Sequence, residues 1–253
     1  RCCQHNHAQG WPYYAEHLVL ATPDNGAALA LYASCQADIT VGNNQKIKLI
    51  EKTNYPFEES IQLLVQTEKN VDFPLYLRIP SWSPDASIKI NGKKVKTSLI
   101  TGQYVRIQRT WSNDDVIELN VPMHLNLRTW QVNKNSVSID YGPLTFSLKI
   151  QEKYIKRDSR QTAIGDSQWQ NDADVENWPS FEIFPDSAWN YSLVLDKENA
   201  LKNFEVIRKN WPDNNFPFTQ ESCPIEIKAI GRKVPSWKVD QYGPVSYTHL
   251  RAH

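Results

Sequence analysis

Residues 87–96, SIKINGKKVK, carry the pattern that decides the fold. Apolar and polar residues alternate on both sides of Asn91-Gly92. Asn-Gly is favoured in the two-residue type I′ turn of a hairpin, because both central residues of that turn adopt a positive φ angle. The stretch therefore predicts a β-hairpin and makes β-strands the expected building block of the chain.

The same alternation recurs on both sides of this hairpin. Short runs are separated by turn residues, a spacing typical of β-sandwiches. We expect Tyr104, Val105 and Ile107 to pair with residues 116–121, and the polar, aperiodic residues 152–179 to form a long loop. The expected strands are residues 28–32, 37–41, 46–51, 60–66, 73–79, 104–107 and 116–121, with later strands within 136–150, 189–196, 204–209 and 224–234.

A helix is expected before the first strand, over residues 10–21, GWPYYAEHLVLA. Pro12 suits the first turn, and Tyr14, Leu18 and Ala21 share one face at helical spacing. The predicted fold is therefore mainly β, with C-terminal β-sandwich domains that follow a short helical segment.

The composition excludes some classes of partner. The 253 residues include 28 basic and 28 acidic side chains, a balance that predicts neither a nucleic-acid partner nor a membrane surface. No apolar run is long enough to cross a bilayer. Four cysteines, two of them adjacent, do not make a disulfide-stapled secreted domain. Because the chain starts at Arg1 rather than methionine, we expect that an upstream part is missing from it.

Cys2 and Cys3 are the strongest candidates for chemistry. Neighbouring cysteines are poor disulfide partners, because the trans peptide between them holds them in the wrong geometry. Both thiolates can reach one soft divalent ion such as zinc, with His5 and His7 as nearby candidate ligands. The alternative is that both are small buried apolar side chains, a common environment for free cysteine.

Aromatic and acidic side chains offer weaker candidates. Trp11, Tyr13 and Tyr14 suit the stacking of sugar rings, although aromatic residues on a helix are more often part of a core. Glu58 and Glu59 form an acidic pair, but neighbours on a strand point to opposite faces, so paired-carboxylate catalysis is not favoured.

The remaining candidates favour structural roles. Cys35 and Cys223 lie in strand-like or proline-flanked segments, where packing is the expected role and a disulfide between them the alternative. His17 is expected to be hydrogen-bonded at the helix edge, and His124 to lie at the surface. The sequence contains no phosphate loop, nucleophile elbow or dinucleotide-binding motif.

Seven sequence segments carry a family resemblance: RCCQHN, GWPYYAEHL, ATPDNG, FPLYLRIPSW, YGPLTFSL, WNYSLVLD and PIEIKAIGRKVPSW. In this order they resemble the C-terminal part of glycoside hydrolase family 127, the β-L-arabinofuranosidase family. The resemblance implies that residues 1–24 end a six-hairpin α/α toroid, with the helix as its last one, and that β-sandwich domains follow at 25–132 and 133–243. Residues 244–253 instead resemble adapter read-through and are expected to be a non-native tail.

The resemblance also implies a mechanism. Cys2 matches the family's zinc-bound cysteine nucleophile and Cys3 a neighbouring zinc ligand, so Zn²⁺ is the implied cofactor, with its other ligands and the glutamate acid/base upstream. The thiolate would attack the anomeric carbon, the glutamic acid would protonate the leaving oxygen, and water would release the sugar with retained configuration. The implied substrate is a plant-glycan oligosaccharide, and this chain alone is expected to be inactive.

A second hypothesis gives the part after Asn25 a role of its own. It would be a carbohydrate-binding or scaffolding module, with Trp82 and Trp111 as candidate exposed rings for sugar contact. Lys and Asn along one face of alternating strands are typical of a solvated sheet face, which favours the scaffold.

Overall fold

The computed structural model describes residues 6–133, 135–157, 176–177, 179–240 and 243–245. Within these ranges β-strands dominate, and the α-helix that lies wholly within them is α1 Gly10–Glu16, with short 3₁₀ turns at His7–Gln9 and Gln131–Asn133. The mainly-β prediction is therefore confirmed. The described residues divide into two compact units, one of residues 9–126 and 139–145 and the other of the remaining residues.

The first unit contains a four-stranded and a six-stranded sheet. The smaller sheet has the order β1-β2-β6-β9 and the larger one the order β3-β4-β5-β10-β7-β8. Neighbouring strands are antiparallel except for the parallel pair β2 and β6. The strands are β1 Val19–Ala21, β2 Ala27–Leu29, β3 Cys35–Val41, β4 Gln45–Thr53, β5 Ser60–Gln66, β6 Val71–Arg78, β7 Ser87–Ile90, β8 Lys93–Lys94, β9 Tyr104–Trp111 and β10 Asp115–Asn120.

One hydrophobic core is shared by these two sheets. Alternate residues of β5 and β6 are buried, as the period of two in a strand dictates. Trp111 is completely buried at the end of β9, where its indole Nε1 donates to the Phe73 carbonyl oxygen at 3.0 Å. The two rings lie 5.8 Å apart. The unit is therefore a β-sandwich that is anchored by a hydrogen-bonded tryptophan.

The predicted hairpin is confirmed between β7 and β8. Asn91 and Gly92 have φ angles of 50° and 76°, the positive values that a type I′ turn requires. The Asn91 side chain donates to Asp115 Oδ1 at 2.6 Å and accepts from the Val116 backbone N–H at 2.9 Å. The asparagine therefore also ties the turn to the neighbouring strand β10.

The predicted pairing of residues 104–107 with residues 116–121 is wrong. Val105 and Ile107 of β9 pair with Leu77 and Leu75 of β6 in the smaller sheet. Strand β10 belongs to the larger sheet, between β5 and β7. Alternation predicts which side chains of a strand are buried but not which sheet the strand joins, because strands of both sheets in a sandwich bury alternate side chains. A short loop can therefore cross from one sheet to the other.

The predicted helix over residues 10–21 is too long. The structure ends α1 at Glu16 and starts β1 at Val19, which pairs with Leu29 of β2. Leu18 is buried between the two elements, whereas α1, which lies wholly within the described residues, buries none of its side chains. Pairing with β2 outweighs the helical periodicity of residues 19–21, because it satisfies their backbone groups within the sheet.

The later strands form smaller sheets. The three-stranded sheet has the order β11-β12-β13, and the other described strands pair as β14 with β15, β16 with β19, β17 with β18 and β20 with β21. The predicted loop over 152–179 is wrong at its start, since β14 pairs with β15 in full register. The strands are β11 Leu125–Trp130, β12 Ser136–Tyr141, β13 Leu144–Phe146, β14 Glu152–Arg157, β15 Ser180–Pro185, β16 Tyr191–Leu193, β17 Phe204–Arg208, β18 Ile225–Ala229, β19 Gly231–Lys233, β20 Lys238–Asp240 and β21 Gly243–Val245.

None of the helices in the described part of the chain has the length and apolar character that crossing a bilayer requires. The assignment of α1 to the end of a toroid stays a prediction.

Candidate functional site

The predicted nucleophile and zinc ligands, Cys2 and Cys3, lie outside the described residues, as does His5. His7 contributes its backbone to the 3₁₀ turn before α1. The cysteine site therefore stays a prediction, and the described structure begins just after it in the chain, with this turn and α1.

The aromatic residues of α1 lie at the surface of their unit. Trp11 is 67% exposed, Tyr13 66% and Tyr14 38%. The Trp11 and Tyr14 rings meet edge to face with centroids 6.3 Å apart. The interpretation of these side chains as core residues is wrong, since their rings are exposed to solvent in the described structure.

The histidine predictions agree with the structure. His17 Nδ1 lies 2.6 Å from the Tyr13 carbonyl oxygen, so it is hydrogen-bonded at the end of α1. His124 lies at the surface with its Nε2 3.1 Å from Asp85 Oδ2.

The acidic pair and the later cysteines have structural environments. Glu59 Oε1 accepts the Met123 backbone N–H at 3.0 Å, while Glu58 is exposed. Of the cysteines that the structure describes, Cys35 and Cys223 are both free, which excludes the disulfide alternative. The Cys223 thiol donates to the carbonyl oxygen of Ile225 at 3.1 Å.

The two tryptophans considered for sugar contact are not exposed platforms. Trp111 is completely buried, and Trp82 is half-buried against the same core. A polar groove of about 960 Å³ does open on the larger sheet, but its lining, within the described residues, contains lysine, glutamine and threonine and no aromatic ring. Aromatic faces are the usual apolar contact for sugar rings, so these features favour the scaffold over the binding module.

Glu51 is a titratable side chain whose environment the sequence prediction missed. It is only 1% exposed and lies on the inward face of β4 in phase with Ile47 and Leu49. Its Oε1 accepts the Ala33 backbone N–H at 3.1 Å, while its Oε2 is buried without a hydrogen-bond partner among the described residues. Burial raises the pKa of Glu51 to about 8, because the charged form loses its hydration, and the Ala33 hydrogen bond opposes this only in part.

Glu51 lies under the segment that joins the two sheets, residues 30–34, which we term the crossover segment. Besides the Ala33 contact, Ser34 binds the end of β4, since its Oγ donates to the Thr53 carbonyl oxygen at 2.7 Å and accepts the Thr53 N–H at 3.0 Å. Cys35 follows and is paired directly with Glu51 across β3 and β4. Burial and the nearby Glu51 raise the pKa of the Cys35 thiol to about 11.

Arg78 of β6 fixes the other side of the crossover segment, together with the side chain of Tyr32 from the segment itself. The Arg78 Nε donates to the Ala30 carbonyl oxygen at 2.6 Å, and its guanidinium lies 5.5 Å from the centre of the Tyr32 ring. The buried Tyr32 hydroxyl donates to the Arg78 carbonyl oxygen, and its ring packs edge to face on Tyr55. The segment is therefore fixed by polar contacts at both ends and in the middle.

Comparison with known proteins identifies most of this unit. Residues 26–123, which span β2 to β10, match the family model of the GH127 middle domain of β-L-arabinofuranosidases. This segment is a GH127 middle domain. No curated protein sequence matches the chain.

Two solved structures are similar in fold to part of this chain. One is described as a glycoside hydrolase, with a TM-score of 0.52 and 23% identity over 61% of this chain and 25% of that one. The other is Ara127N-Se, a GH127 β-L-arabinofuranosidase from Geobacillus stearothermophilus T6, with a TM-score of 0.53 and 22% identity over 73% of this chain and 34% of that one. The chain thus spans between a quarter and about a third of the length of these proteins.

The donor set for the implied zinc ion is only partly present in this chain. Cys2 and Cys3 suit the preference of zinc for sulfur, but two thiolates supply half of a tetrahedral site. The described residues, including the GH127 middle domain, contain no group of three or more His, Cys, Asp or Glu side chains that could hold a metal ion.

The buried Glu51 makes the stability of the middle domain depend on pH. Its folded-state pKa of about 8 lies above the ordinary value of 4.5, so the folded protein keeps a proton that the unfolded chain loses. Stability therefore falls as the pH rises through this window, by about 4 kcal/mol between pH 5 and pH 9. We expect Glu51→Gln to remove this fall in urea unfolding at pH 5, 7 and 9. Parallel pH profiles for the two proteins would contradict the assignment.

Proposed function

We propose that this chain is part of a retaining glycoside hydrolase that acts on β-L-arabinofuranosides, with Cys2 as the nucleophile. The observation that carries the proposal is the match of residues 26–123 to the GH127 middle domain, directly after a segment that contains adjacent cysteines. The solved relatives support the same fold but, at 22–23% identity, not a substrate.

The proposed chemistry assigns bond formation to Cys2. Its sulfur attacks the anomeric carbon, so that a C–S bond forms while the glycosidic C–O bond breaks and an upstream carboxylic acid gives its proton to the leaving oxygen. Water then breaks the C–S bond, and two inversions retain the configuration. Zinc, when bound by Cys2, Cys3 and upstream ligands, would keep the thiol ionised, since a free thiol with a pKa of about 8.5 is mostly neutral at pH 7.

The middle domain acts as a scaffold in this proposal. Its strands place the crossover segment against α1, which follows the cysteines in the chain. The buried Trp111 and the aromatic-free groove give no support to a separate sugar-binding role within the described residues.

The test is hydrolysis of an aryl β-L-arabinofuranoside by the protein that joins this chain to its upstream catalytic domain. We expect turnover in which the first sugar released, followed by NMR, has the configuration of the substrate. A thiol-compatible chelator should abolish this turnover and added zinc should restore it, whereas residues 1–253 alone should be inactive.

Release of the inverted sugar, or turnover that is unchanged by the chelator, would contradict the mechanism. Activity only on other glycosides would contradict the substrate class.

A further inference from the structure

The contacts between α1 and the sandwich run through the crossover segment. The Tyr14 hydroxyl of α1 donates to the Tyr32 carbonyl oxygen at 3.3 Å. Just after α1, the Leu18 carbonyl oxygen accepts the backbone N–H groups of Ala30 and Leu31 at 3.0 and 3.5 Å. The position of α1 therefore depends on the position of the crossover segment.

The crossover segment rests in turn on Glu51. The Ala33 N–H donates to one carboxyl oxygen, and the other oxygen is buried with no partner in the described part of the chain. A neutral carboxyl tolerates this environment, but a carboxylate would carry charge on an oxygen that neither water nor a donor reaches. Deprotonation therefore favours any opening of the structure that brings water to Glu51.

We propose that deprotonation of Glu51 releases α1 from the crossover segment, so that a buried carboxyl of the sandwich controls the docking of the segment that precedes it. The proposal goes beyond the glycosidase function, because it concerns α1 and the sandwich themselves.

Helix α1 is the element whose local opening requires the least free energy. It has seven residues, and within its fully described length it buries no side chain and has no side-chain hydrogen bond at its N-cap. Helices this short are not stable without tertiary contacts. Glu51, by contrast, lies in a strand that is paired on both sides, with Cys35 of β3 and Leu63 of β5. Local opening starts where few contacts must be broken, which here is at α1.

The other titratable and charged groups around Glu51 do not change their charge state between pH 6 and pH 9. Partial burial, followed by the Glu51 charge, raises the pKa of Tyr14 from α1, and full burial raises that of Tyr32 in the crossover segment. The Cys35 thiol of β3 has a pKa of about 11. Arg78 of β6 contributes a positive charge that acts against these shifts on both tyrosines. Glu51 is therefore the group of this described cluster whose charge changes in the window.

A consequence for catalysis rests on the proposed function. Because α1 follows Cys2 and Cys3 in the chain, its release would remove a restraint on the chain that follows the proposed nucleophile. The release itself does not depend on that function and is tested without any activity assay.

The test is hydrogen exchange of residues 1–253, followed by mass spectrometry between pH 6 and pH 9 and corrected for intrinsic exchange rates. With a pKa of about 8 in the closed state and the ordinary value of 4.5 once Glu51 is exposed, the population of the open state rises about 10²-fold between pH 6 and pH 9, and the rise levels off above pH 8. We expect protection of residues 10–18 to fall by this factor at pH 9, while β5 and β10 stay protected. In Glu51→Gln, whose amide oxygen can still accept the Ala33 N–H, protection of α1 should stay constant across this range.

Glu59→Gln is the matched control, because Glu59 also accepts a backbone N–H but is only half-buried. It should behave like the unmodified protein. If Glu51→Gln does not fold, Tyr14→Phe provides the second variant, with α1 poorly protected at every pH and its pH-dependent fall lost. The proposal is overturned if Glu51→Gln keeps the fall, if protection of α1 is constant in the unmodified protein, or if β5 and β10 lose protection together with α1.

Discussion

Replacing Cys2 with serine is expected to lower kcat on an aryl β-L-arabinofuranoside by about 10⁴-fold or more in the protein that contains the upstream catalytic domain. A serine hydroxyl is far less ionised at neutral pH than a thiol and is a poorer zinc ligand, so that both the attacking group and its activation are lost. The measurement is single-turnover kinetics with the aryl leaving group as the chromophore.

Cys223→Ser is the matched control for this experiment. Cys223 is a free, half-buried cysteine whose thiol donates to a backbone carbonyl, an interaction that a serine hydroxyl can replace. Turnover should be unchanged in this variant. Equal losses in both variants would mean that the defect is structural, and unchanged turnover in the Cys2 variant would remove Cys2 as the nucleophile.

Replacing Trp111 with alanine is expected to destabilise the GH127 middle domain by about 5 kcal/mol. The side chain is completely buried at the end of β9, so its loss leaves a large cavity between the sheets. The substitution also leaves the Phe73 carbonyl oxygen without the indole donor at 3.0 Å. Since a typical domain is stable by about 5–15 kcal/mol, the variant should be unfolded or close to it.

Guanidinium unfolding followed by circular dichroism measures this effect, and Trp11→Ala is its control. Trp11 is 67% exposed on α1, so the same substitution there should change the free energy of unfolding by less than about 0.5 kcal/mol. A loss below about 2 kcal/mol for Trp111→Ala would show that the surrounding core collapses into the space, contrary to the packing that we describe.

The local features of the fold were predictable, because short-range rules govern them. The positive φ angles of the Asn91-Gly92 turn follow from residue chemistry alone. The extent of β5, residues 60–66, follows from alternation within the strand itself. The end of α1 was not predictable in this way, since residues 19–21 fit a helix locally and become a strand only because β2 lies beside them.

The candidate site likewise has features that the sequence predicts and features that it does not. The adjacent thiols of Cys2 and Cys3 are visible in the sequence, and their neighbourhood alone suggests sulfur chemistry. Glu51 carries a visible signal too, as a charged residue in phase with Ile47 and Leu49 on β4. Its unpartnered oxygen and its link to α1 are not visible, since they depend on the crossover segment folding over it.

The sequence by itself determined most of the strands of the middle domain, such as β5, and the tight turn at Asn91-Gly92, because alternation and turn chemistry act over a few neighbouring residues. Only the tertiary structure decided that β9 joins β6 while β10 joins β5 and β7. It also decided that the carboxyl of Glu51 is buried beneath residues 30–34. The physical reason is that sheet partners and burial depend on strands that are distant in the chain, and each strand can satisfy its backbone hydrogen bonds and bury its apolar face against more than one partner.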